Sequence, residues 1–164
     1  MPFFRRGHEP PNPDPLPAED TPAEDTPAAL RQAQWTLTQF VNAHAGRLPV
    51  ESVVAALRVT DTLGEVIDTS EARPLDINAV VPVKAILTDY LPTTLRSYLS
   101  LDPSMTDTRR PSGRTPRTSL EEQLDSLWLA ATDVLMASRA QDVDALLTQG
   151  NFLRTKYAGS DLDL

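Results

Sequence analysis

Asp61, Glu65 and Asp68 fall at i, i+4 and i+7 of one stretch with helical periodicity, a spacing that lines three carboxylates along one helix face as a divalent cation would require. Nothing else in the sequence supplies complementary ligands. In a chain with 23 acidic residues the same spacing also describes a solvated acidic face, and that is the reading adopted. Histidine, the usual general base and metal ligand, occurs twice. His8 lies in a proline-rich tail and His44 at a helix end, and neither has a second His, Cys or Glu at ligand spacing. The absence of cysteine removes disulfides, thiolate zinc sites and cysteine nucleophiles together. The six glycines form no phosphate-cradling loop and no Gly-x-Ser-x-Gly elbow. No residue is therefore assigned a catalytic, cofactor-binding or metal-ligating role, and no cofactor is expected.

Residues suited to binding are easier to find. Arg109, Arg110, Arg114 and Arg117 make a locally basic strip in a chain of net charge -8. They could dock an acidic partner, form a tether switched by phosphorylation of Ser112 or Thr118, or simply keep a loop soluble. Trp35 points away from the apolar stripe of its own helix and is expected to pack against a second neighbour. Thr93 and Thr94 follow Leu91-Pro92 in "DYLPTTLRSYLSL" (89–101), where they either start a helix after a corner or present a recognition feature. The corner is preferred, because prolines commonly mark helix boundaries. Trp35, Thr93, Thr94 and the four arginines are the candidate partner contacts.

The elements that must position these residues are helical. Residues 1–26 carry a run of prolines and the tandem "PAEDTPAEDTPA", and are expected to form a disordered acidic tail. Thr26 caps a first helix with Pro27 in its first turn, running to about Ala45 and presenting Leu30, Ala33, Leu37, Val41 and His44 on one stripe. A second helix opens at Pro49 and runs to about Thr69. Its apolar face begins with Val50, Val53, Val54 and Leu57 and drifts to Val59, Leu63, Val66 and Ile67, so the helix should be sandwiched, with Gly64 marking close packing or a bend. Asp76 caps a third helix, which Pro82 interrupts and Pro92 ends.

Residues 102–118 show no periodicity and read as an internal flexible loop. Ser119 and Glu122 then form a capping box, followed by Leu120, Leu124, Leu127, Ala131, Val134 and Ser138 at three-four spacing, with Leu127 at the bundle centre. A final helical segment carries Val143, Leu146 and Leu147 and breaks at Gly150. The expected fold is all-α: a single bundle of four to six helices over 27–158, with a proline-kinked helix pair, a disordered N-terminal tail and a short C-terminal tail at 159–164.

The net charge of -8, a pI of about 4.7 and an aromatic content of 5% disfavour nucleic acid as a partner. No stretch approaches the roughly 18 uninterrupted apolar residues of a membrane span. "MPFFRR" supplies only one weak signal for peripheral membrane contact. A cytoplasmic protein is expected, able to form homo-oligomers.

"DYLPTTLRSYLSL", the polar gap and "SLEEQLDSLWLAATDVLMASRAQDVDALLTQGNF" together resemble the XpaC-like proteins, named for hydrolysis of an indolyl phosphate, and more distantly the TelA-like toxic-anion-resistance proteins. The resemblance implies an all-helical bundle and a cytosolic or membrane-peripheral setting linked to stress or envelope functions. It brings no catalytic residues. The resulting expectation is a non-catalytic helical adaptor or scaffold with a protein partner, the alternative being a phosphate-ester hydrolase or an accessory to one.

Overall fold

Thr26 and Pro27 start the first helix as their chemistry requires. The Thr26 hydroxyl accepts the Ala29 N–H at 3.1 Å, and Pro27 occupies a first-turn position where its missing donor costs nothing. The computed structural model describes residues 25–71 and 73–160, without side-chain detail at 71, 145 and 149–160. The expected tail thus lies outside the described residues except at Asp25 and Thr26, and Asp25 is tied to Lys84 by an ion pair of 2.8 Å. The described residues form α1 (Pro27–Ala43), α2 (Val50–Asp68), α3 (Ile77–Ala85), α4 (Leu91–Leu99) and α5 (Pro116–Ser160), with no strand among them. The fold is all-α.

Helix α2 is the centre of the bundle. It packs most extensively on α5 and next on α1, and nine of its nineteen residues are buried. Small residues at i, i+4 spacing, Ser52, Ala56, Thr60 and Gly64, are all among them. At the Gly64 end of this stripe α1 comes close enough for the Gln34 amide to donate to the Thr60 carbonyl at 2.9 Å. The close approach expected at Gly64 is confirmed: a Cβ there would stand 2.3 Å from Gln34 Nε2. The first half of α2 departs from expectation. Val50 and Val54 are exposed while Val53 and Leu57 are half-buried, because the small-residue stripe, rather than the valines, faces the neighbouring helices.

Asp76 caps α3 by accepting the Asn78 N–H at 2.8 Å. The paired helices α3 and α4 are present, but they are not separated by an extended corner at Leu91-Pro92. A π-turn over Ile86–Tyr90 joins them, the Leu91 N–H reaching back to the Ile86 carbonyl, and Leu91 itself keeps helical dihedrals (φ -66°, ψ -48°). A π-turn inserts one extra residue per turn just where the Pro92 ring would meet the carbonyl four residues earlier. Pro92 is buried in the first turn of α4.

Helix α5 begins one turn earlier than the expected Ser119–Glu122 box. Thr115 and Thr118 form that box instead: the Thr115 hydroxyl accepts the Thr118 N–H at 3.1 Å, and the Thr118 hydroxyl accepts the Thr115 N–H at 3.0 Å. Pro116 follows at the first helical position. Leu120, Leu124, Ala131, Leu135 and Ser138 are buried, whereas Leu127 and Val134 are only half-buried, so Leu124 rather than Leu127 holds the centre. The helix does not break at Gly150. It continues unbroken to Ser160, past the expected domain boundary, for 45 residues.

The close approach of α1 and α2 gives a direct test. Gly64→Ala gains helix propensity of about 0.5–1 kcal/mol but displaces the Gln34 amide from Thr60, losing a hydrogen bond of similar worth. In the wild-type background the change should therefore be close to neutral, and in a Gln34→Ala background it should stabilise by about 0.5–1 kcal/mol. Urea titration of the four proteins reads the difference; equal effects in both backgrounds would show that the two residues do not share the contact.

Candidate interaction surface

The three carboxylates on α2 are not a cation site. Glu65 pairs with Arg139 of α5 at 2.6 Å, Asp68 pairs with Arg31 of α1, and Asp61 is exposed. The acidic row thus links α2 to both its neighbours. Arg58–Asp125 at 3.1 Å and Arg73–Asp142 at 2.8 Å add two more links along α5. These pairs are largely solvent-exposed, so each contributes at most about 1 kcal/mol and mainly fixes helix register. Among the described residues no group of three His, Cys, Asp or Glu side chains is placed to hold a metal. The His44 Nδ1–H donates to the Phe40 carbonyl at 2.8 Å, and the ring sits 4.3 Å from that of Phe40.

The basic strip is an ordered loop rather than a structureless one. A 3₁₀ turn over Pro103–Met105 is capped by Asp102, which accepts the Ser104 hydroxyl at 2.6 Å and the Ser104 N–H at 2.8 Å. The Arg110 N–H donates to the Arg114 carbonyl at 2.9 Å and Gly113 N–H to the Arg110 carbonyl at 2.8 Å, closing a tight tip. Gly113 has φ +81°, a left-handed conformation that glycine adopts without Cβ strain. Arg117 closes the base of the loop, its backbone N–H reaching the Thr106 carbonyl at 3.2 Å and its Nε the Asp107 carboxylate at 2.9 Å. That carboxylate holds the Arg117 guanidinium above its ordinary range. Arg114 pairs with Glu122 at 3.0 Å. Arg109 and Arg110 carry no ion pair among the described residues and project at the exposed tip.

The other candidates are dispersed. Thr94 is half-buried in a shallow groove with Ser97, Tyr98, Pro116 and Leu120, while Thr93 is exposed and bonds to Asp89 at 3.2 Å. Tyr98 and Leu101 also line the groove that holds Arg117, so Thr94 and the base of the loop are neighbours. Trp35 is elsewhere. It is 59% exposed beside Ala28, Arg31 and Gln32, and among the described residues no second neighbour covers it, the buried side of α1 being that of Leu30, Leu37 and Val41.

One exposed apolar face among the described residues was not read from the sequence. Leu129, Met136, Val143 and Leu147 of α5 are 56–60% exposed. With Ala140, those from Met136 onward recur at three-four spacing, and Leu129 stands one heptad before Met136, on the face opposite the buried Leu120–Leu124–Ala131–Ser138 row. From Val143 to Thr148 every residue with a described side chain is exposed. The heptad interval of Leu129, Met136 and Val143 was the available signal. Comparisons with protein-family models, curated proteins and solved structures return no match to this chain. Among the described residues, no helix is long and apolar enough to cross a membrane.

The Asp102 cap has a pH signature. The Ser104 hydroxyl and then the Ser104 N–H lower its carboxyl pKa below the usual value. A depressed folded-state pKa gives a stabilising contribution that is fully present above the unfolded value of about 3.9 and is lost as pH falls through the lower folded value. Carboxyl NMR titration should place the Asp102 midpoint below about 3.9 and move it up in Ser104→Ala; a midpoint indifferent to that substitution would rule out the hydroxyl as its cause.

Proposed function

We propose that this chain is a non-catalytic helical adaptor that engages a protein partner along the outer face of α5. One observation carries the reading: an apolar stripe of Leu129, Met136, Ala140, Val143 and Leu147 lies on the side of α5 turned away from its own core. From Leu129 to Leu147 the stripe spans roughly 27 Å of helix, and exposed apolar surface rimmed by polar residues marks interaction sites in soluble proteins. Three-four spacing on a continuous helix suits a second amphipathic helix packed alongside, its apolar residues entering the gaps between those of α5. Asp133 lies within the stripe between Leu129 and Met136, so the fitting partner helix places a lysine or arginine opposite it. The arginine loop at the start of the same helix offers a second contact for an acidic segment.

The setting that accompanies this reading is cytoplasmic. Its link with stress or envelope functions, like the alternative of phosphate-ester hydrolysis, rests on the resemblance alone. No arrangement of described residues adds to the hydrolase reading.

Leu129→Ser, Met136→Ser and Leu147→Ser together should leave the melting temperature within a few degrees, since all three side chains face outward, and reduce recovery of a partner from native lysate at least tenfold. Light scattering on the same proteins shows whether that partner is a second copy. Undiminished recovery with the triple variant would overturn the assignment of the surface, and a wild-type protein with neither partner nor self-association would overturn the adaptor reading itself.

A further inference from the structure

We propose that Ser112 is a phosphoacceptor for an arginine-directed serine/threonine protein kinase, a modification site that stands whether or not α5 binds a partner. The sequence between 102 and 118 holds six hydroxyl side chains, and the structure separates them. Ser104 donates to Asp102, Thr106 to the Pro103 carbonyl at 2.8 Å and Thr108 to the Ser104 carbonyl at 3.4 Å. Thr115 and Thr118 are committed to the α5 capping box, and the Thr118 hydroxyl also donates to the Thr115 carbonyl at 2.9 Å. Ser112 alone of the six makes no hydrogen bond among the described residues, and it is exposed. Thr118, equally plausible by sequence, is excluded because phosphorylating it would require breaking the start of the longest helix.

The charges that would recruit such an enzyme are in place. Arg109 and Arg110 precede Ser112 by three and two residues, and they are the two loop arginines without a carboxylate partner among the described residues. Their guanidinium groups are free to meet the acidic substrate groove of an arginine-directed kinase. A kinase must draw the acceptor into an extended segment, which here means opening only the tip, whose backbone bonds are Arg110 to Arg114 and Gly113 to Arg110. Arg117 to Thr106 and the Thr115–Thr118 box hold the base of the loop closed meanwhile. In the transfer, Ser112 Oγ bonds to the γ-phosphorus of Mg-ATP, the bond from that phosphorus to the β–γ bridging oxygen breaks, ADP departs, and the hydroxyl proton passes to the kinase's carboxylate base.

The product changes the loop's charge. Four arginines against Asp102 and Asp107 give 102–118 a net charge of +2, and a phosphate adding about -1.5 to -2 brings it near zero. The new dianion lies within the same tight turn as Arg110 and Arg114, where it competes with Glu122 for Arg114.

The test uses the full chain, Mg-ATP and the catalytic domain of an arginine-directed kinase, with the modified residue located by mass spectrometry. One phosphate per chain at Ser112 is expected, lost in Ser112→Ala, retained in Thr118→Ser, and formed with at least tenfold lower kcat/KM in Arg109→Ala/Arg110→Ala. Circular dichroism should show every variant as helical as the wild type. Three results would each overturn the proposal: dominant modification elsewhere, indifference to the two arginines, or acceptance of a 105–118 peptide with no acceptance by the folded chain.

Discussion

The close approach of α1 to α2 at Thr60 and Gly64 is the contact on which the rest of the bundle depends. A helix buried on opposite sides must present small surfaces to at least one neighbour, or its partners stand too far apart to close over it. Ser52, Ala56, Thr60 and Gly64 provide that, and the Gln34 amide lies where a Cβ at 64 would stand. With α1 in place on one side, α5 is left to cover another, and the α3–α4 segment completes the enclosure of Val59, Leu63, Val66 and Ile67. Polar groups drawn inside by this packing bond locally: Thr60 to the Leu57 carbonyl, Thr62 to the Arg58 carbonyl, Ser138 with Thr69. Ser52 Oγ, fully buried, has no partner among the described residues, so its burial opposes folding to the extent that a lost water hydrogen bond does.

Charge decides alignment rather than strength. Arg31, Arg58, Arg73 and Arg139 each cross from one helix or its flank to a carboxylate on another. Arg58 does so while its guanidinium rests 4.1 Å from the centre of the Trp128 ring, which combines an ion pair with a cation–π contact at the α2–α5 seam. Arg47 plays a different part, donating to the Leu99 carbonyl at 2.7 Å where α4 ends and the helix dipole is negative.

Local rules were readable where local chemistry decides. Thr26, Pro27 and Asp76 act at helix starts as their types dictate, and the buried row from Leu120 to Ser138 follows its spacing. Errors arose where the deciding partner is distant or the exception rare. The Val50–Val54 stripe reads as core until α1 is known to sit on the small residues beside it. Leu91-Pro92 reads as a corner unless a π-turn precedes it, and no residue type in "ILTDY" announces one. Ser119 and Glu122 read as the α5 box because glutamate at the third position is the familiar signature, whereas Thr118 fills that role one turn earlier with a hydroxyl. Of the surface, the arginines and the threonines are visible in the sequence and the stripe is not: Leu120, Leu124 and Ala131 already account for the amphipathic spacing of the helix, and Leu129 and Met136 fall outside that row.

The unbroken run of α5 has a mechanical consequence. Arg73 grips the helix at Asp142, and the rod continues for another 18 residues to Ser160, roughly 27 Å at the usual rise. With no proline after Pro116 to act as a joint, a tilt of about 10° about that grip sweeps the far end by roughly 5 Å while hardly disturbing the grip itself. The same rod starts at the arginine loop. Leu120, Leu124, Ala131 and Ser138 hold the first part of the helix in the core, so the bundle anchors the rod and the segment beyond Asp142 extends from that anchor.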